Sequence, residues 1–183
     1  MNIEFKDIAS KYSEHLDSLY SYALNMGFKE QEIMDAIHDV FYKLCIQHSS
    51  LNEISNLKTY LFKSLRNRLI DLYRSNKEFI GLNSDYEENH NILPFQLTAS
   101  GEDELIEKED SEEIMSKVEH VLNQLTNRQR EIVYLRFIRE CSYEEIAEIM
   151  NITVETSRNL VSKSLAKLKR SSLSLSLFLS VIV

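Results

Sequence analysis

The stretch Ser142–Arg170, SYEEIAEIMNITVETSRNLVSKSLAKLKR, leaves the chain little choice of fold. It reads as two helices joined by a tight turn. Ser142 is placed to N-cap the first, and Glu145, three residues on, can reach back to it in a capping box. Ile146, Ala147 and Met150 fall three and four apart, so they share one face. Ala147 is small at mid-helix, which lets a second helix cross at close range. Asn151 stands where the first helix must stop, and Asn accepts the left-handed backbone of a turn. Ile152 fills the gap under that turn. Thr153 can cap the second helix. This helix turns Val161, Leu165 and Leu168 inward and shows Glu155, Thr156, Arg158, Asn159, Ser162 and Lys163 outside. An antiparallel pair in an ordinary core would share the apolar spacing. The capped turn, the small crossing residue and the basic outer face together favour a helix-turn-helix that reads DNA.

A formal charge of −8 over 183 residues argues at first against nucleic acid. The charges are segregated, however. Lys58–Lys77 holds six basic residues against Asp71, a net of +5. Glu155–Arg170 holds five against Glu155, a net of +4. Between them, Phe79–Glu113 holds eleven acids and only Lys108, a net of −10. Any one block reads as a solvated face; their alternation is harder to dismiss. Three glycines and one proline disfavour a turn-rich β fold. Cys45 and Cys141 lie far apart among apolar neighbours and read as core residues in a reducing cytoplasm. The N-terminus has no signal pattern, and no run approaches the roughly 20 apolar residues of a membrane span.

From the N-terminus, Ile8, Tyr12, Leu16, Leu19, Tyr20, Ala23 and Leu24 step as a helix that Gly27 ends. A second helix, Glu30–Gln47, has Ile33, Ile37, Val40, Phe41, Leu44 and Cys45 on its apolar face. Its other face offers Glu32, Asp35, His38, Asp39 and Lys43. A polar loop, His48–Asn56, precedes a third helix, Leu57–Asn76, with Leu57, Leu61, Leu65, Leu69 and Leu72 inward. Tyr60, Phe62 and Tyr73 are interleaved there with Lys58, Lys63, Arg66, Asn67, Arg68 and Arg74. Such a helix is either an amphipathic core helix or a strip where cations track phosphate and aromatics stack on unpaired bases. Gly81–Gly101, with Pro94, reads as a tether. Helical pattern resumes near Asp103. Leu125–Cys141 reads as one capped helix, with Thr126 and Gln129 in a second capping box and Ile132, Val133, Leu135, Phe137 and Ile138 inward. Arg136 and Arg139 can approach a DNA backbone. In the tail Ser171–Val183, Leu and Ser alternate, a strand-like period; it is expected to be covered.

The expected fold class is all-α: two small helical domains joined by a flexible acidic linker, the C-terminal one a helix-turn-helix. The expected boundaries are 1–78, a linker over 79–108, 109–170, and a hydrophobic tail over 171–183. No glycine-rich phosphate loop, HExxH helix or paired-cysteine spacing is present, and the histidines are scattered. No catalytic constellation, metal site, cofactor or small-molecule substrate is expected.

Three motifs in order resemble those of the extracytoplasmic-function group of bacterial sigma factors, within the sigma-70 family. EIMDAIHDVFYKL, Glu32–Leu44, is similar to the family's helix for core RNA polymerase. NLKTYLFKSLRNRLIDLYR, Asn56–Arg74, is similar to its promoter-melting and −10-reading helix. LTNRQREIVYLRF…SYEEIAEIMNIT is similar to its −35-reading domain. The resemblance implies that Asp35, His38, Asp39 and Phe41 face the polymerase. It implies that Tyr60, Arg66, Asn67, Arg68 and Arg74, with the loop around Ser49–Ile54, bind the −10 element. Thr156, Arg158 and Asn159 would enter the −35 major groove, and Lys163 and Arg139 would grip phosphate. His38 stands where the family often has Gln, Cys45 where an aromatic is common, and Asn151 where the turn usually has Gly. Ser157 stands where an apolar β-branched residue is usual. The implied partners are core RNA polymerase, promoter DNA and an anti-sigma factor, often membrane-anchored; the implied location is cytoplasmic. Two other classes fit the residues: an autonomous helix-turn-helix regulator, binding duplex DNA without polymerase, and a helical adaptor that binds only protein.

Overall fold

The computed structural model describes residues 5–47, 51–79, 93–97, 122 and 124–170. Every regular element among them is helical. The chain forms two compact units, and the main break falls between Pro94 and Phe95. Most of the acidic block, the helix expected near Asp103, Ser49 and the tail lie outside the described residues.

In the first unit α1 (Phe5–Asn25), α2 (Glu30–Gln47) and α3 (Leu57–Phe79) pack on one another. Leu19, Tyr22, Ala23 and Met26 from α1 and its end meet Ile33, Ile37, Val40 and Leu44 from α2 and Leu61, Phe62, Leu65 and Leu69 from α3. The Tyr22 and Phe62 rings meet edge-on at 5.2 Å. The α1 stripe is not quite the expected one: Tyr22 is fully buried and Leu24 is 53% exposed. Leu24 lies roughly 100° round the helix from Ala23 and about 200° from Tyr22, so it turns to solvent. Cys45 is likewise exposed rather than a core residue. It follows Leu44 by one position, which rotates it off the stripe. Gly27 stops α1 with φ +79°, where an L side chain would be strained. Asn56 caps α3, its Oδ1 accepting from the Thr59 N–H at 3.0 Å.

Within the expected tether, Leu93, Phe95 and Leu97 are buried, while Gln96 between them is exposed. Phe95 belongs to the second unit. Its carbonyl accepts from Arg130 Nη1 at 3.2 Å, and its ring lies 5.5 Å from that of Tyr134. This stretch of tether is therefore anchored.

The second unit continues with α4 (Asn127–Val133), α5 (Tyr143–Met150) and α6 (Val154–Arg170). The capping box that opens α4 is formed: Gln129 N–H donates to Thr126 Oγ1 at 3.3 Å and Thr126 N–H to Gln129 Oε1 at 3.1 Å. The apolar pattern predicts one regular helix to Cys141; instead α4 passes into a π turn over Tyr134–Ile138. Arg139 N–H reaches back five residues to the Tyr134 carbonyl at 3.1 Å. The extra residue per turn rotates the residues beyond it. Phe137 and Ile138 consequently end half-buried, and Glu140 turns the chain with φ +54°.

The pair α5–α6 is built as its sequence demands. Ser142 and Glu145 exchange both capping bonds, at 2.7 and 3.1 Å. Asn151 takes φ +52°, and Ile152 N–H closes a Schellman turn on the Ala147 carbonyl at 2.9 Å. Thr153 Oγ1 then caps α6 by accepting from Thr156 N–H at 3.1 Å. Inside α6 the buried series is Ser157, Val161, Ser164 and Leu168, with Leu165 only half-buried.

Candidate nucleic-acid interface

Two exposed faces carry the residues of interest, one on each unit. On α3, Tyr60, Asn67 and Arg74 are spaced by seven, which keeps them on one side of the helix about 10 Å apart. Asn67 and Arg74 are exposed and Tyr60 half-buried. The Tyr60 hydroxyl donates to Gln47 Oε1 at 3.4 Å, which steadies the ring at the end of α2. Arg74 lies 3.9 Å from Asp71, a loose pair one turn away. Arg68 borders the stripe and is drawn to α2, its Nε 2.8 Å from Asp39 Oδ2. The structure thus brings α2 and α3 candidates into contact.

Arg66 departs from expectation. It is only 4% exposed. Steps of three and four connect it to the inward residues Phe62, Leu69 and Ile70, so the period that exposes Asn67 buries its neighbour. It is a structural residue of the unit rather than part of the exposed stripe. Phe41 departs for the same reason: it follows Ile37 by four, is 4% exposed, and meets the Tyr12 ring edge-on at 5.0 Å. The remaining α2 candidates sit at the surface, with Asp35 and His38 exposed and Asp39 half-buried. His38 is oriented by Tyr12, whose hydroxyl is 3.0 Å from Nε2 and whose ring stacks at 5.9 Å.

The second face lies on α6, where Arg158, Asn159, Ser162 and Lys163 form one exposed strip. Thr156 sits at its edge, its hydroxyl 2.8 Å from that of Thr153, so it is committed to the cap. Arg158 has two neighbours on α5. Its Nη2 is 3.3 Å from Glu144 Oε1, and its guanidinium lies 5.6 Å from the Tyr143 ring centroid. Arg136 reaches the same ring at 4.9 Å while donating to the Cys141 carbonyl at 2.8 Å. Arg139 rests over Tyr134 at 5.1 Å and donates to its hydroxyl at 2.7 Å. Lys167, counted with the basic block, turns away: it donates to the Gln124 carbonyl and Gln129 Oε1 at 3.0 and 2.9 Å. Sequence reasoning missed Tyr143 and Tyr134 as supports for arginines. The contact from Tyr143 to Arg158 exists only once the helix-turn-helix has closed.

This arrangement has known counterparts. The family model for Sigma-70 region 2 matches residues 12–79, and that for Sigma-70, region 4 matches 115–168. The chain is 25% identical over 170 residues to the ECF RNA polymerase sigma factor SigW of Bacillus subtilis, covering 91% of this chain and 87% of that one. It is 22% identical over 158 residues to the ECF RNA polymerase sigma factor SigM of the same organism, covering 86% and 90%. Among solved structures it resembles the sigma factor RpoE from Bartonella quintana, in complex with the anti-sigma factor NepR. That likeness has a TM-score of 0.61 at 20% identity, over 91% of this chain and 97% of that one.

The chain belongs to the extracytoplasmic-function group of the sigma-70 family. It is an alternative sigma factor, which directs promoter recognition and transcription initiation. The α3 stripe lies in region 2 of this sigma factor, and the α6 strip in region 4. No helix among the described residues is long and apolar enough to cross a membrane. Among those residues, no group of three His, Cys, Asp or Glu can hold a metal.

Proposed function

We propose that the two faces divide promoter recognition between two physical routes. Arg158 and Asn159 of α6 read base edges in the major groove of the −35 element, where all four base pairs are distinguishable. Lys163 and Arg139 take phosphate, and Thr156 holds the helix start beside them. On region 2, Tyr60, Asn67 and Arg74, with Arg68, receive bases of the −10 element after they leave the stack. Extrusion of a base costs a few kcal/mol, and stacking on an aromatic returns roughly 1–3 kcal/mol. Capture therefore balances opening only when polymerase contacts are added. Asp35, His38 and Asp39 of α2 supply those contacts to core RNA polymerase.

The observation that carries this reading is the evenly spaced Tyr60–Asn67–Arg74 stripe, with Tyr60 half-buried and the other two exposed, in a chain that also presents a capped, basic recognition helix. On this reading the protein works in the cytoplasm, catalyses no reaction of its own and needs no cofactor. It binds an anti-sigma factor, as RpoE of Bartonella quintana does in its complex with NepR, and that binding holds this chain inactive.

The test is run-off transcription with core polymerase, beside a duplex-shift assay without it. Transcripts from a defined start that depend on the protein support the proposal. A tight, specific shift without core would identify an autonomous regulator instead. No salt-dependent DNA binding in either assay would leave only a protein adaptor.

A further inference from the structure

Arg158 is a long side chain, and its own side-chain surface is 60% exposed. Left to itself it would sample many rotamers, and ordering it on DNA would weaken binding. Two groups restrain it. Glu144 offers a carboxylate at 3.3 Å. That carboxylate competes with any incoming phosphate or base acceptor for the same guanidinium. Tyr143 offers a neutral π face at 5.6 Å. A ring attracts the cation without occupying its five N–H donors. It can therefore stay in place while those donors engage DNA.

The backbone that carries the ring is held, and a second cation lies against the ring. Ser157, fully buried, directs its Oγ to the Tyr143 carbonyl and the Val154 carbonyl, both at 3.0 Å. Arg136 lies against the same ring at 4.9 Å and is tied to the Cys141 carbonyl at 2.8 Å. Tyr143 thus connects the π turn, the start of α5 and the start of α6 at the point where α6 presents its first exposed arginine.

We propose that Tyr143 is a positioning residue for promoter discrimination: its ring pre-orders Arg158 for base reading, with Arg136 holding the ring from behind the helix pair's entrance. This rests on the proposed role of Arg158 in the −35 groove. The ring matters, and the hydroxyl does not.

The experiment uses the full chain with core RNA polymerase and a promoter library whose −35 region is randomised, with transcribed templates sequenced. Arg158→Ala is expected to erase preference at one or two adjacent positions. Tyr143→Phe should keep the wild-type preferences. Tyr143→Leu should lower selectivity tenfold or more at the Arg158 positions only, leaving the others intact. A companion measurement is the Arg158 Nε–Hε resonance of the free chain. It should be ring-shifted in the wild type and Tyr143→Phe, and unshifted in Tyr143→Leu or, if that variant melts early, in Tyr143→Met. Wild-type selectivity in Tyr143→Leu overturns the proposal, as does an equal loss at every position. An unshifted Arg158 resonance in the wild type also overturns it. If Arg158→Ala itself changes no preference, the groove-reading role fails first, and that arm alone reveals it.

Discussion

Asp39 on α2 and Arg68 on α3 are joined by a 2.8 Å hydrogen-bonded ion pair between a residue proposed to meet polymerase and one proposed to meet DNA. Their side chains are 46% and 35% exposed, so solvent screens the pair. A contribution of about 0.2–1 kcal/mol to stability is expected, measurable by a double-mutant cycle in urea. The functional effect should be larger. Asp39→Asn should raise affinity of the isolated chain for single-stranded DNA at low salt while weakening its binding to core polymerase. Fluorescence anisotropy with each partner checks both. Unchanged DNA affinity would mean that Asp39 does not hold Arg68 back.

Asn67 stands mid-stripe, exposed between Tyr60 and Arg74. Asn67→Ala should reduce permanganate reactivity of the −10 region in holoenzyme complexes several-fold. Closed-complex binding measured at low temperature should change little. An equal loss in both would place Asn67 in duplex binding instead.

Phe95 is 1% exposed, against Tyr134, in a stretch whose composition suggests a free tether. Phe95→Ala should destabilise the second unit by about 3–5 kcal/mol, a cavity cost typical of buried phenylalanine. Since Tyr134 also accepts from Arg139, the substitution should loosen that arginine too. Chemical denaturation followed separately in the two units reads the first effect. A loss under about 1 kcal/mol would show that the anchor is dispensable.

Ser157 is fully buried, its Oγ 3.0 Å from both the Tyr143 and Val154 carbonyls. Ser157→Ala should cost about 0.5–1.5 kcal/mol, the ordinary net value of a hydrogen bond. Ser157→Val should cost about 1–3 kcal/mol by overpacking, although valine resembles the usual family residue here. Thermal melting of both variants decides it; a valine variant as stable as wild type would mean that α6 can tilt to admit it.

His15 is partly buried, and desolvation pulls its pKa below the ordinary value of 6.5, with Glu14 opposing and Lys11 and Lys58 assisting. The unfolded chain therefore binds a proton more readily than the folded one. Its neutral form is compatible with the fold above pH 6.5. Stability falls as pH drops below that value, and the loss levels off beneath the lowered folded pKa. His15→Gln should flatten this part of the stability profile, measured by urea titration between neutral and mildly acidic pH. An unchanged profile would place the proton uptake elsewhere.

Local signals in the chain specify where many of these helices begin and end. The Ser142 and Thr126 boxes, the Thr153 cap and the left-handed Asn151 each depend on neighbours within a few residues. They form because the backbone groups they satisfy are the helix's own unpaired ends. The leucine series of α3 was legible in its middle, where Leu61, Leu65 and Leu69 are buried, while Leu57 and Leu72 near its ends are only half-buried. The helical period already set Phe41 on the apolar face of α2, against the outward role that motif resemblance implied; applied strictly, it would also have withdrawn Arg66 from the surface.

What only the tertiary structure decided involves residues far apart in sequence. Phe95 finds Tyr134 across a composition that argues for solvation, because three alternate apolar side chains can bury without a helix. No short pattern announces the π turn at Tyr134–Ile138. Above all, the Ser142–Arg170 stretch specified its two helices, its turn and its basic face by itself. Which arginine would be held, and by what, awaited closure of that turn. Tyr143 and Arg158 are fifteen residues apart, and a ring meets a guanidinium there only after α5 and α6 have packed.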